Sequence, residues 1–110
     1  MNWSVDGRVP VVFGKIADAR VDDAFLVEGD AEVPSGHPVA RFIDLASHQA
    51  SCACCWGRGA AATALGNIFL ARARGETAYF RRVLAVVADV EATRAALARD
   101  PLVLGRFVVN

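Results

Sequence analysis

The sequence predicts an α/β protein: a small, mostly parallel sheet flanked by helices. Two observations carry this. The second half of the chain alternates strand-like, helix-like, strand-like, helix-like and strand-like segments, the order from which parallel sheets with right-handed crossovers are built. The run "FRRVLAVVAD" (80–89) is also apolar without polar alternation, as expected of a strand covered on both faces. With 110 residues the chain has the length of one domain with a real core, and residues 1–110 are read as a single domain.

Taken in order, "RVPVVFG" (8–14) is a β-branched run ending in glycine, which reads as a buried strand. Residues 15–24 are polar and irregular, and "AFLVEG" (24–29) is compatible with a strand or a helical turn. "VPSGHP" (33–38) is a turn by composition. "VARFIDLA" (39–46) reads as a strand with Val39, Arg41, Ile43 and Leu45 on one side. From Arg58 the period changes. Ala61, Leu65, Ile68, Phe69 and Arg72 recur at helical spacing, and Gly75 stands where a C-cap glycine belongs. After the strand at 80–89, "VEATRAALARD" (90–100) reads as a helix that stops at Pro101, and "LGRFVVN" (104–110) as a last strand.

Composition excludes several classes. Apolar residues make up 55% of the chain, yet no apolar run approaches the roughly 18 residues that span a bilayer. No basic-then-apolar leader is visible, so a cytoplasmic protein with no membrane partner is expected. Twelve basic residues balance twelve acidic ones, which gives no electrostatic reason to expect nucleic acid. The charge is uneven. Between Lys15 and Glu32 stand six carboxylates against Lys15 and Arg20, and the later half is rich in arginine. The acidic stretch reads either as a solvated loop or as a supply of hard ligands for a cation.

The most singular stretch is "SHQASCACCWGRG" (47–59), which holds all three cysteines of the chain. Small buried thiols are one reading. Three in a C-x-C-C array favour another, because thiolates are soft donors suited to Zn²⁺ and other thiophilic divalent metals. Cys52, Cys54 and Cys55 are the candidate ligands. Gly57 and Gly59 permit a sharp bend, and the helix start near Arg58 lowers thiol pKa. Three thiolates leave a fourth tetrahedral position for His48, His37, a carboxylate or an exchangeable ligand. His48 is preferred because it lies four residues before Cys52.

The segment "SCACCWGRGAA" resembles the C-x-C-C motif of CobW-type GTPases, P-loop proteins that act as metal chaperones or insertion factors, where it typically reads "GCICCTVRGDL". The order that follows, "ARARG", a strand, a helix and "DP", is similar too, as is "VPVVFGKIADARVDDAFLVEGD" to the switch-like stretch upstream. The likeness covers most of residues 9–108. It implies a reduced P-loop GTPase-like fold, and metal-ligand roles for Cys52, Cys54 and Cys55. The family's acidic pair falls on Lys15 and Asp18, so Asp18 is carried over as a candidate ligand and Lys15 is not. The departures are specific. There is no G-x-x-x-x-G-K-[ST] loop, because Gly14-Lys15 lacks the upstream glycine and is followed by Ile16. The Thr-Thr-Gly stretch and the guanine-reading motif are also missing.

These residues predict a CobW-like protein that binds zinc or a similar metal, without nucleotide and without GTPase activity, and that serves metal buffering, delivery or sensing to an acceptor or partner protein. The alternative is a structural or interaction module with no retained metal. A third reading is an enzyme using Cys54 or Cys55 as a nucleophile or redox thiol, with only His37 and His48 available as bases. A homo-oligomer is expected. The missing family strand would leave "VPVVF", "ARFIDL" and "RRVLAVV" short of a neighbour, and the face of Leu65, Ile68 and Phe69 short of cover.

Overall fold

The structure, a computed structural model, describes residues 7–43 and 59–110. Within them five strands, β1 (Val9–Phe13), β2 (Asp23–Glu28), β3 (Val39–Phe42), β4 (Arg82–Val86) and β5 (Phe107–Val109), form one sheet in the order β3-β2-β4-β1-β5. Every pairing is parallel. Three helices lie among the described residues: α1 (Ala60–Ala73), α2 (Val90–Ala98) and α3 (Pro101–Arg106). The α/β reading therefore stands.

The period-2 alternation of the strands sorts their side chains into two cores. Val9 and Val11, Ala24 and Leu26, Ala40 and Phe42, and Val83 and Ala85 point to the helix side, where Leu65, Ile68, Leu97, Val103 and Phe107 meet them. Phe25, Val27 and Leu84 point the other way. That face has no helix among the described residues. Ile16 and Ala19, from a short 3-10 turn at Ile16–Asp18, and Val33, from the connection between β2 and β3, pack against it instead.

Of the two readings open for "AFLVEG", strand is the one the structure shows, as β2. Residues 14–22 carry the chain from β1 to β2 past β4, with only the 3-10 turn on the way. Parallel strands usually need a helix for such a crossover; here the residues read as polar and irregular form only that short turn.

Two helix ends follow from their residues. Gly75 has φ +73°, and the N–H groups of Gly75 and Glu76 donate to the carbonyls of Arg72 and Ala71, the paired bonds of a Schellman cap. Pro101 does not simply stop α2. It opens α3 at its first turn, with the Asp100 carboxylate accepting from the N–H groups of Leu102 and Val103. Proline at that position gives up an N–H that has no helical partner anyway. The last strand is accordingly shorter than expected and starts at Phe107.

The structure corrects the reasons given for self-association. "VPVVF" is flanked on both sides, by β4 and β5, and β4 lies between β2 and β1. Of the three strands expected to lack a neighbour, only β3 is at an edge. Leu65 and Ile68 are buried within the chain, and Phe69 packs edge-on against Phe107, with ring centroids 5.6 Å apart. That helix face is covered by the sheet and by α2 and α3 of the same molecule.

Candidate functional site

In an open parallel sheet, ligands bind beyond the C-terminal ends of the strands, where neighbouring connections depart to opposite faces. Here β1 and β4 are such neighbours. The chain leaving β1 crosses the loop-covered face, where Ile16 and Ala19 pack. The chain leaving β4 enters α2 and α3 on the helix face, where Leu97 and Val103 pack. The switch point between them, a crevice by topology alone, has Gly14 and Lys15 after β1 on one side and Ala88 and Asp89 after β4 on the other.

Asp18 lies in the connection that leaves this switch point, and its carbonyl accepts from the Arg82 guanidinium at 3.4 Å. Its Oδ2 accepts from the N–H of Lys15 at 2.9 Å. The carboxylate lies against Gly14, so a Cβ at that position would come within 2.8 Å of Oδ2. Opposite, the Asp89 side chain caps α2 by accepting from the N–H of Ala92 at 3.0 Å. Glu28, at the end of β2, accepts from the N–H of Ala88 at 2.9 Å. Carboxylates at three strand ends are thus tied to backbone N–H groups.

Cys52, Cys54, Cys55 and His48 lie outside the described residues. The points between which their segment runs are described. It departs after Ile43, beyond the end of β3, and returns at Gly59, the residue before α1. A helix packed against a parallel sheet runs opposite to the strands, so both points lie at the C-terminal end of the sheet. Between them is a hollow of about 110 Å³ lined by Phe42, Gly59, Ala60, Ala61, Ala92, Thr93 and Ala96. Its walls are almost all alanine and glycine. Asp18 is on the same end of the sheet but beside β1, three strand positions from β3, a separation of about 14 Å.

The acidic stretch is not a cation cage among the described residues, where no group of three or more His, Cys, Asp and Glu side chains converges. The reason is topological. β2 runs through the middle of the stretch, and so sends Asp22 and Asp23 to one end of the sheet and Glu28 and Asp30 to the other.

Opposite the crevice, at the end where the strands begin, is an arrangement that sequence reasoning missed. Asp23 and Arg82 are register partners at the first positions of β2 and β4. The Arg82 guanidinium donates to both carboxylate oxygens, at 2.9 Å from Nε and 2.6 Å from Nη2. The Arg20 N–H adds a third bond, at 2.8 Å. Asp23 is fully buried. Burial pushes its carboxyl up, but the bonds from Arg82 and Arg20 and the positive charges of both outweigh this and hold it below the ordinary value. The same bonds push the Arg82 guanidinium up. His37, one candidate for the fourth ligand, is here as well. Its Nδ1 donates to the Asp23 carbonyl at 2.8 Å, and its ring stands edge-on to Phe25. It is fixed at the end of the sheet away from Ile43 and Gly59. The only signal of this cluster in the sequence is a charged residue at the head of each of two apolar runs, "DAFLVE" and "RVLAVV".

Compared with family models, with curated proteins and with solved structures, the chain matches none.

Proposed function

We propose that this is a CobW-like metal-binding protein that holds zinc or another thiophilic divalent ion through Cys52, Cys54 and Cys55 and does not hydrolyse GTP. One observation supports this above the others. The segment carrying all three thiols is strung between the end of β3 and the start of α1, at the end of the sheet where parallel α/β folds place their ligands. The donor set suits the ion, since three thiolates and one imidazole from His48 make a tetrahedral N/S site. Cys52 lies nine positions after Ile43, a tether that can extend to about 30 Å. Asp18, about 14 Å away at the strand spacing, is within its reach as an alternative oxygen ligand.

The site serves buffering, delivery or sensing of the ion in the cytoplasm, as a homo-oligomer or with an acceptor protein. No catalytic step is assigned to it. The chain lacks a loop combining a backbone nest, a phosphate lysine and a magnesium hydroxyl. Gly14-Lys15-Ile16 places an apolar side chain where the hydroxyl would be, and Ile16 is committed to the core of the loop-covered face. Calorimetric titration with Mg-GTP is expected to show no binding in the micromolar range.

Elemental analysis of protein purified without an affinity tag tests the metal reading. About one zinc, or a similar ion, per chain or per two chains is expected. The triple Cys→Ser variant should lose it. Retention of the wild-type metal content by that variant would exclude the thiols as ligands.

A further inference from the structure

The end of the sheet opposite the crevice has a composition unlike the rest of the surface. Helices on a parallel sheet run against the strands, so the last turns of α1 and α2 and the starts of β4 and β5 all gather there. The arginines of the later half go with them. Arg74 and Arg99 are the C-cap residues of α1 and α2. Arg81 directly precedes β4, and Arg106 directly precedes β5. Arg74, Arg81 and Arg99 are exposed, and their guanidinium groups have no ion-pair partner among the described residues. Among the described residues the carboxylates at this end do not offset them. Asp23 is taken up by Arg82 and Asp100 by the cap of α3, both buried, which leaves Asp22 and Glu76.

Apolar side chains stand among these cations. Among the large hydrophobic residues exposed in the described part, Val21 (92% exposed), Tyr79 (66%), Leu102 (49%) and Leu104 (42%) are at this end, with Leu70 in the last turn of α1. Contacts of the arginines run beside them. The Arg81 N–H donates to the Asp22 carbonyl, beside Val21. Arg72 lies over the Tyr79 ring at 4.6 Å and over Phe69 at 5.4 Å. Arg106 lies over Phe69 at 5.1 Å, one turn of chain from Leu102 and Leu104.

We propose that this end docks on an anionic lipid surface, with the arginines on the headgroups and Leu102, Leu104, Tyr79 and Val21 entering the interface. The charge complementarity is direct, and each arginine near an anionic leaflet adds to binding. The aliphatic tips favour a bilayer over nucleic acid, which would call for aromatic platforms rather than leucine and valine. They sit on three separate segments, a turn, a loop and a short helix, and a deformable interface takes such dispersed tips together. Tyrosine is a frequent residue at that depth. The sequence alone predicts the opposite, no membrane partner, from the lack of a spanning apolar run; among the described residues no helix is long and apolar enough to span. Docking of this kind needs no span. It also turns the crevice and the ends of the cysteine segment away from the membrane.

Co-sedimentation of the full chain with phosphatidylcholine vesicles, with and without phosphatidylglycerol, tests this at low salt. Binding is expected only with the anionic lipid, and should fall as salt rises. The triple variant Arg74→Glu, Arg81→Glu, Arg99→Glu should lose roughly a hundredfold in affinity. The pair Leu102→Ser, Leu104→Ser changes no charge and should lose roughly tenfold. Ile43→Ser, at the other end of the sheet, controls for nonspecific stickiness and should bind as the parent does. No binding to anionic vesicles would overturn the proposal. So would equal binding to neutral ones, or indifference to either set of variants. Displacement by a single-stranded oligonucleotide at concentrations below those of the lipid would assign the surface to nucleic acid instead.

Discussion

The two ends of the sheet are built on different terms. Where the strands begin, β2 and β4 are joined by a buried ion pair at matching register, and a histidine closes over the Asp23 carbonyl. Where the strands end, the carboxylates of Glu28, Asp18 and Asp89 each hold a single backbone N–H near the surface. One end is fastened by charge inside the fold, the other by carboxylates that each hold one N–H at its rim, locally for Asp18 and Asp89 and across 60 positions for Glu28. The closed end can be altered only at a cost to the fold, whereas the bonds at the open end lie nearer the surface.

Single substitutions at the two ends sharpen that contrast. The largest effect is expected for Arg82→Met, which leaves the Asp23 carboxylate buried without its partner and should cost about 3–5 kcal/mol in a urea denaturation. A cost no greater than that of a surface substitution would remove the ion pair from the account.

Acid approaches the same contact by protonation. The folded Asp23 carboxyl is held below its ordinary value of 3.8. Its contribution is therefore complete above that value, and is lost as pH falls below it and through the folded pKa. In Arg82→Met the sign reverses, because a buried carboxyl without a cation is easier to keep protonated. Melting curves across this range should thus converge for the two proteins as pH falls. Parallel curves would show that Asp23 does not titrate with the fold.

Gly75→Ala comes next. Space is open around that position, so only the left-handed backbone at φ +73° opposes the change. A loss of about 1–2 kcal/mol is expected. Glu28→Ala, at the open end, removes one bond to the exposed Ala88 and should cost about 1 kcal/mol or less. If Glu28→Ala costs as much as Arg82→Met, the two ends do not differ in the way described.

Local patterns in the sequence carried the sheet-forming runs, α1 with its glycine cap, and α2. Leu65 and Ile68 fell on the buried face of α1 as their spacing required. What the sequence hid is relational. Nothing in "RVPVVFG" says that β1 lies between β4 and β5, since strand order depends on the path of the connections. The connection of residues 14–22 has no helical period to reveal it. The Asp23–Arg82 pair spans 59 positions and exists only through register. Pro101 read as a stop because a proline ends one helix and begins the next with the same restricted φ. For the site, the residue types of the cysteine array pointed to soft-metal chemistry, whereas the switch between β1 and β4 emerged only from the topology. Asp18 was marked by a family likeness, and its place against Gly14 could not be read from composition.

The central claim is that the three thiols bind one ion at the open end of the sheet. Cobalt(II) substitution of metal-free protein tests it most directly, because bound Co²⁺ reports both ligand type and geometry in its absorption spectrum. The account predicts saturation at about one ion per chain or per two chains. The near-ultraviolet should show an intense thiolate-to-cobalt charge-transfer band, and the visible region the strong d–d bands of a tetrahedral site. Both should vanish in the triple Cys52→Ser, Cys54→Ser, Cys55→Ser variant and bleach on addition of zinc. A weak, octahedral-type spectrum without a charge-transfer band, unchanged in that variant, would contradict it.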